Sequence, residues 1–270
     1  MNATLLISSC DAYSDCWLPL LHSLHRHWPG CPYPVALICN TAPEANLFSA
    51  TSADTAFSPR FLPVGPDRGW GPNLALALGS VETEFVIYLQ EDYFLDHPVS
   101  SEAMEQHLEY CRTNSVDYLR LGWPWQDGQK LTPMYCDDAF SFRYALCLQP
   151  AIWRTSVLKQ LSSKVNDGWE FERNIKQYIR DEQLSIRARV LHSSAYPDRG
   201  LKVVDGTGIR KGLWTRGGER YLNENGFGEL VAGRGVEGAV TDWLMHRVFL
   251  PVKIPAVLLL RVMKRLKINW

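Results

Sequence analysis

The chain has 270 residues and a formal net charge of −1 at pH 7, so it lacks the strongly basic character that attracts nucleic acid. Hydrophobic residues at 46% and charged residues at 21% are typical of a globular protein and exclude a disordered chain. The seven cysteines form an odd number without a Cys-x-x-Cys pair, which argues against a disulfide framework or a zinc site.

The first forty residues predict a strand, a helix and a second strand. Residues 3–9 form an apolar run that ends in small polar residues, and Tyr33–Asn40 is a second such run. Between them, apolar residues recur at helical spacing from Trp17 to Trp28. A strand–helix–strand unit of this length implies a parallel sheet.

A loop rich in glycine and proline, Gly65–Asn73, leads into a helix predicted from Leu74 onward. A glycine loop that opens a helix can approach a phosphate group closely. Its spacing matches neither a P-loop nor the Gly-x-Gly-x-x-Gly motif, so a tight turn is an equal alternative.

An acidic pair follows the most apolar strand. Phe85–Leu89 is a run of β-branched, aromatic and aliphatic residues, which predicts a strand buried on both faces. Glu91 and Asp92 follow it, where the carboxyl end of a strand places a ligand site in an α/β sheet. Carboxylate oxygens suit Mg²⁺ or Mn²⁺ on a diphosphate, whereas the simpler alternative is a solvated turn.

The middle of the chain predicts further strands and helices. Asp117–Leu121 is a strand that leads into the aromatic loop Gly122–Trp125, and Phe140–Leu148 is strand-like. A helix is predicted over Ala151–Leu161. In the aromatic loop, the tryptophans would form either a platform for a sugar or part of the core.

A second acidic pair lies near the start of another predicted helix, in Asn166–Glu172. Glu170 and Glu172 alternate with the aromatic residues Trp169 and Phe171. A carboxylate near a helix start is stabilised in its ionised form by the helix dipole, which suits a general base. Capping of the helix by acidic residues is the structural alternative.

The end of the chain differs in composition from the rest. From Trp243 to Trp270 it has six Lys or Arg residues and no acidic ones. This segment predicts a basic amphipathic helix that lies on an anionic membrane surface or packs against protein. We therefore expect a catalytic domain over residues 1–242 and a basic amphipathic tail over residues 243–270.

The order of these signals resembles that of GT-A-fold, nucleotide-sugar-dependent glycosyltransferases of the bacterial surface-polysaccharide type. The resemblance extends over residues 3–215. It rests on Leu5–Asp11, Trp28–Pro34, Gly69-Trp70, Tyr88–Phe94 and Trp169–Glu172. It implies a Rossmann-like α/β fold, with a mostly parallel central sheet flanked by helices.

The resemblance also implies roles for individual residues. The nucleotide would be bound by the end of the first strand, the glycine loop and the acidic strand end. The residues concerned are Ser8, Ser9, Asp11, Asp67, Arg68, Trp70, Asn73 and Glu91. Asp92, with Glu91, would bind Mn²⁺ or Mg²⁺ at the position of the family's Asp-x-Asp motif. Because Gln90-Glu91-Asp92 departs from that motif, the metal is a conditional expectation.

The resemblance implies a base and an acceptor site as well. Glu172, or else Glu170, would accept the proton in an inverting reaction. Trp123, Trp125 and Trp169 would contact an acceptor sugar.

These expectations describe a hexosyltransferase-like enzyme of polysaccharide biosynthesis. It would move a sugar from a nucleotide-diphosphate donor to a glycan or lipid-linked acceptor. Because no basic segment precedes an apolar run at the N-terminus, we expect no signal peptide and a cytoplasmic protein, peripheral on the inner face of the plasma membrane.

Two alternatives remain open from the sequence. A nucleotidyltransferase also uses a parallel sheet and a carboxylate-bound metal, although a glycine-rich, lysine-containing segment near the first strand is missing. A non-catalytic protein that binds a nucleotide or a sugar would retain the fold with a degraded site.

Overall fold

The computed structural model describes residues 3–43, 58–122, 129–137 and 146–238. These residues form ten strands and seven α-helices. The strands are β1 (Ala3–Ser8), β2 (Val35–Cys39), β3 (Arg60–Pro63), β4 (Phe85–Gln90), β5 (Tyr118–Arg120), β6 (Tyr135–Asp137), β7 (Ala151–Arg154), β8 (Ala188–Leu191), β9 (Ile209–Arg210) and β10 (Leu213–Trp214). The helices are α1 (Trp17–His27), α2 (Trp70–Ala77), α3 (Ser101–Thr113), α4 (Thr155–Ser162), α5 (Gly168–Asp181), α6 (Arg216–Glu224) and α7 (Val231–Arg234).

Among the described residues, eight strands form one sheet in the order β3-β2-β1-β4-β7-β5-β8-β6. The pairs β3-β2, β2-β1, β1-β4 and β5-β8 are parallel. β7 runs antiparallel to both β4 and β5, and β6 runs antiparallel to β8. The predicted α/β fold with a mostly parallel sheet is therefore confirmed. We call the edge where β1, β4 and β5 end the carboxyl edge.

The sheet is buried on both faces, which explains the continuous apolar runs of its central strands. Every residue of β1 is buried, and so are residues 85–89 of β4. On one face, α2, α4 and α5 share a core with alternate residues of the sheet, such as Leu6 and Val86. The next residues along, Leu5 and Ile87, face the other way and are equally buried.

The structure corrects the helix predicted over Ala151–Leu161. Ala151–Arg154 is strand β7, and the helix begins only at Thr155. β7 lies between two strands, so Ile152 is paired with both Ile87 and Leu119. A short apolar run is compatible with either a helix or a strand. Here it forms a strand because it pairs with both β4 and β5. The predicted strand Phe140–Leu148 lies largely outside the described residues.

Two compact units make up the chain, one up to Thr207 and the other from Gly208 onward. The second unit contains the hairpin β9-β10, whose two-residue turn Lys211-Gly212 has positive φ angles of 53° and 79°. In the same unit, Arg210 Nη1 lies 2.6 Å and 2.8 Å from the two carboxylate oxygens of Glu237.

The predicted basic tail, residues 243–270, lies outside the described residues, so the division at residue 242 stays a prediction. In the described part of the chain, none of the helices combines the length and the apolar character that a membrane span requires.

α3 contains a buried histidine that is held in its neutral form. His107 Nε2 lies 2.7 Å from the Arg199 carbonyl oxygen, and His107 Nδ1 lies 2.8 Å from the Tyr135 hydroxyl. Because a carbonyl only accepts hydrogen bonds, Nε2 carries the proton and Nδ1 accepts from Tyr135. Burial lowers the pKa of His107 to about 4.

We expect His107 to make the protein less stable as the pH falls from 6.5, the ordinary pKa of histidine, to about 4, the pKa of His107 in the folded protein. Over this range the unfolded chain binds a proton that the folded protein excludes. The loss is about 3 kcal/mol, estimated from the shift in pKa. His107→Gln keeps one donor and one acceptor but does not titrate, so its free energy of unfolding is expected to fall less. Urea unfolding at pH 7 and pH 4.5 measures the difference, with His192→Gln, at a partly exposed position, as the control.

Candidate active site

The two carboxylates after β4 differ in their surroundings. Asp92 is only 5% exposed, whereas Glu91 is partly exposed. The Thr207 hydroxyl donates a hydrogen bond to Asp92 Oδ2. Asp92 is therefore fixed in place at the carboxyl edge, while Glu91 remains accessible to a ligand.

Residues 200–207, which we call the edge segment, bring Thr207 to Asp92. The Leu201 amide donates to the Leu121 carbonyl at the end of β5 (3.0 Å), and the Val204 amide donates to the Phe94 carbonyl (2.9 Å). A turn at residues 205–206, with φ angles of 49° and 76°, then returns the Thr207 amide to the Val204 carbonyl (3.1 Å). The edge segment thus crosses from the end of β5 to the end of β4.

Leu148 connects the two predicted halves of the site. Tyr93 follows Asp92 in sequence, and its hydroxyl donates to the Leu148 carbonyl oxygen at 2.9 Å. The Leu148 amide donates to Glu172 Oε1 at 3.0 Å. Leu148, which precedes β7, therefore contacts both the residue after the strand-end acids and the helix acid Glu172.

Glu172 is in an environment that suits a proton acceptor. Burial raises the pKa of Glu172, whereas the hydrogen bond from Leu148 and the charge of Arg120 act to lower it. Arg120 is the last residue of β5 and is 4% exposed. A glutamate whose pKa is raised is a stronger base than an exposed one, and it is still ionised above that pKa.

Glu170 has a different local role. It is in the first turn of α5, where the Asp167 carboxylate caps the helix by accepting the Glu170 amide at 2.7 Å. Glu170 Oε2 in turn accepts the Asn166 amide at 2.7 Å. This reciprocal arrangement is close to a capping box. Beside these acids, Trp169 is 61% exposed.

The predicted nucleotide residues at the end of β1 make hydrogen bonds within the protein. Asp11 Oδ1 accepts the Asn40 amide (2.8 Å), Asp11 Oδ2 accepts the Thr41 amide (3.1 Å), and the Asp11 amide donates to Asn40 Oδ1 (3.1 Å). Ser9 Oγ accepts the indole N–H of Trp17 at 2.7 Å. The contacts of Asp11 join the ends of β1 and β2, and that of Ser9 joins the end of β1 to α1. Ser8 is buried where β1 ends.

The glycine loop Gly65–Asn73, predicted to bind the nucleotide, is held in shape by hydrogen bonds of its own side chains. Asp67 Oδ1 accepts hydrogen bonds from the Gly69 amide and from Asn73 Nδ2, both at 2.8 Å. Asn73 Oδ1 accepts the Arg68 amide at 3.2 Å. The Trp70 indole N–H lies 3.2 Å from the hydroxyl of Tyr88, a residue of β4. The loop therefore has a defined shape next to the strand that ends at Glu91.

Two glycines of this loop, Gly69 and Gly71, approach protein backbone rather than open space. A Cβ atom on Gly71 would lie 2.0 Å from the Val165 carbonyl oxygen, and one on Gly69 would lie 2.7 Å from the Asn166 carbonyl oxygen. Gly69 also has a φ angle of 96°. The glycines thus allow the loop to dock on the turn that precedes α5. Close packing accounts for them, without a phosphate.

Part of the predicted site is brought together and part is not described. Glu172 and Tyr93, the neighbour of Asp92, both contact Leu148. Trp70 packs on Phe171, the neighbour of Glu172, with ring centroids 5.4 Å apart. Trp123 and Trp125 lie outside the described residues. Sequence reasoning missed several residues of this region, namely Tyr88, Tyr93, Arg120, Leu148 and Thr207. Of these residues, only Arg120 could have been suspected from the sequence, because it is a charged residue in the otherwise apolar strand β5.

The acids at the carboxyl edge fit a cation that arrives together with a phosphate ligand. Within the described ranges, no group of three or more His, Cys, Asp or Glu residues is placed to hold a metal ion. Mg²⁺ is commonly bound by one or two carboxylates together with substrate phosphates and water. Glu91 and Asp92 could supply those carboxylates, and a diphosphate would have to supply further oxygens.

Neither a protein-family model nor a curated protein matches this sequence. Among solved structures, residues 1–349 of S. aureus TarS have a TM-score of 0.49 at 14% identity, covering 92% of this chain and 75% of that one. TarS is a GT-A-type glycosyltransferase. A longer TarS structure has a TM-score of 0.45 at 16% identity. The match covers 72% of this chain but only 35% of the TarS chain.

A second type of enzyme is similar at a comparable level. CMP:2-keto-3-deoxy-manno-octonic acid synthetase, complexed with CTP, has a TM-score of 0.42 at 13% identity, covering 69% of this chain and 88% of that chain. Similarity of this degree concerns the backbone arrangement, so the roles of the site residues rest on the contacts described above.

Gly71→Ala is expected to destabilise the protein by about 2 kcal/mol or more, because the added methyl group would overlap two backbone carbonyls. Gly79→Ala, just after α2, is the matched control, since its Cβ would lie 3.5 Å from the flexible end of Lys159. Chemical denaturation of both variants measures the difference. Equal stabilities would show that the loop does not depend on its contact with the turn before α5.

Proposed function

We propose that the chain is a glycosyltransferase that moves a sugar from a nucleotide-diphosphate donor to a hydroxyl group of a glycan or glycolipid. The observation that supports this most is that Leu148, at the carboxyl edge, accepts a hydrogen bond from Tyr93, the residue after Asp92, and donates one to Glu172. One carboxylate follows a central strand, where α/β sheets bind ligands. The other is a partly buried glutamate with a raised pKa, as a base requires.

In the proposed reaction, Glu172 takes the proton of the acceptor hydroxyl while its oxygen attacks the anomeric carbon. The bond from that carbon to the diphosphate oxygen breaks on the opposite face, so the configuration inverts. A divalent cation held by Asp92 and Glu91 would neutralise charge on the leaving diphosphate. The hydrogen bond from Thr207 keeps the Asp92 carboxylate oriented for that task.

The remaining residues would bind the substrates. The end of β1 and the loop that contains Asp67, Arg68, Trp70 and Asn73 would surround the nucleotide. The exposed ring of Trp169, one turn or less from Glu172, would form a surface for an acceptor sugar. The six cations of residues 243–270 support a peripheral position on an anionic membrane, where a lipid-linked acceptor of polysaccharide biosynthesis would be found.

We expect Asp92→Asn and Glu172→Gln each to lower kcat by about 100-fold or more while the protein stays folded. The assay is transfer and hydrolysis with a panel of nucleotide sugars, with and without Mn²⁺, and circular dichroism reports on the fold. Full activity of both variants would reject this site.

The products distinguish the classes of protein. Release of a nucleoside diphosphate identifies a glycosyltransferase, whereas release of pyrophosphate from a nucleoside triphosphate and a sugar phosphate identifies a nucleotidyltransferase. Tight nucleotide binding without turnover on any acceptor identifies a binding protein.

The rate is also expected to depend on pH through Glu172. Burial raises the pKa of this carboxyl group above its ordinary value of 4.5, and only the ionised form accepts a proton. We therefore expect kcat/KM to fall as the pH drops through that raised pKa, at a higher pH than an exposed glutamate would give. The residual activity of Glu172→Gln should lack this acid limb, and an identical limb in that variant would assign the titration to another group.

A further inference from the structure

Arg120 occupies a position where a charged side chain is costly. It is almost fully buried, and its neighbours on the adjoining strands are the apolar residues Ala151 and Val190. Removing a guanidinium group from water is unfavourable unless nearby groups of opposite charge or polarity compensate for it. Arg120 lies at the last position of β5, so its side chain can reach the polar groups of the carboxyl edge.

The side chain of Arg120 is on the face of the sheet that α5 covers. Tyr118 and Arg120 are two positions apart in one strand and so share a face. The ring of Tyr118 lies 4.4 Å from that of Trp153, and Trp153 lies 6.0 Å from Phe171 on α5. Phe171 directly precedes Glu172, so Arg120 and Glu172 face the same layer of the protein.

A two-residue segment, Cys147-Leu148, lies between Arg120 and Glu172. Arg120 Nη1 is 3.7 Å from Cys147 Sγ, and the Tyr118 hydroxyl donates to the Cys147 carbonyl oxygen at 3.2 Å. The next amide, that of Leu148, donates to Glu172 Oε1. One short segment is therefore held by β5 on one side and holds the carboxylate on the other.

We propose that Arg120 is a positioning residue for Glu172, and that its buried positive charge keeps this carboxylate ionised and fixed against the Leu148 amide. The proposal deepens the proposed function and rests on it, because it assigns the means by which a buried base stays charged. Burial alone would favour the neutral, protonated form of the glutamate, which accepts no proton.

The other groups near Glu172 are consistent with this role. Cys147 and Tyr93 face it from the segment before β7 and from the exit of β4. Burial raises the pKa of both, so both are uncharged at neutral pH. On α5 itself, Arg173 is exposed and its Nε donates to the Trp169 carbonyl oxygen at 3.2 Å. The charge of Arg120, in contrast, acts on Glu172 from within the protein.

The test measures the titration of Glu172 directly. Protein labelled with ¹³C at the glutamate carboxyl groups is titrated by NMR, and the Glu172 signal is assigned by its loss in Glu172→Gln. We expect Arg120→Gln to raise the Glu172 midpoint by about one pH unit or more, since a removed cation no longer favours the carboxylate. Arg120→Lys, which keeps the charge, should restore a midpoint near that of the wild type.

Arg154→Gln is the matched control. Arg154 is also an arginine of the central sheet, but it pairs with Asp117 (3.0 Å) and Glu84 (2.6 Å) at the opposite edge. This variant should lose stability and leave the Glu172 midpoint unchanged. Should Arg120→Gln fail to fold, Arg120→Met carries the same test, because its unbranched side chain fills the space of the arginine stem.

Kinetics provide a second measurement, the pH profile of kcat/KM, which would not change if Arg120 were merely structural. The acid limb of kcat/KM in Arg120→Gln should shift upward with the NMR midpoint, so that the rate falls about tenfold on the limb and recovers at higher pH. An unchanged midpoint, or a loss that is equal at every pH, would overturn the role of Arg120. An upward midpoint without turnover on any nucleotide sugar supports the coupling and rejects the glycosyltransferase.

Discussion

Polar groups buried at the carboxyl edge of the sheet must find hydrogen-bond partners within the protein, and this requirement organises the site. The Leu148 residue shows it most clearly, since its carbonyl accepts from Tyr93 and its amide donates to Glu172. The edge segment does the same for Asp92 through the Thr207 hydroxyl. Asp92 and Glu172 are thereby each held by a segment that is distant in sequence.

The two helix acids show how position on a helix separates two roles. Glu170 and Glu172 are two residues apart, which places them about 200° apart around the axis of α5. Glu170 accepts the Asn166 amide and completes the start of the helix, whereas Glu172 faces the sheet and accepts the Leu148 amide. Capping of the helix start is therefore observed at Glu170, and Glu172 is the residue that we propose as the proton acceptor. Burial, which raises the pKa of Glu172, favours it as the base.

The glycine loop shows that glycine can serve packing at a position that suggests phosphate binding. Gly69 and Gly71 allow the loop to meet the carbonyl oxygens of Asn166 and Val165. Because the loop docks on the turn before α5, the start of α2 and the start of α5 are held together, and Trp70 reaches both Tyr88 and Phe171. The loop of the proposed nucleotide site is thus held against the start of the helix that carries the proposed base.

By itself, the sequence determined the parallel βαβ start, the buried strand β4 and the acids that follow it, because local burial leaves a continuous apolar run that ends at a polar residue. It did not distinguish strand β7 from a helix, since a short apolar run fits either, and only pairing with both β4 and β5 selects the strand. Nor did it indicate Thr207, which is 115 residues from its partner Asp92. Contacts of this kind have no local pattern, and the tertiary structure decides them by bringing distant segments to one edge of the sheet.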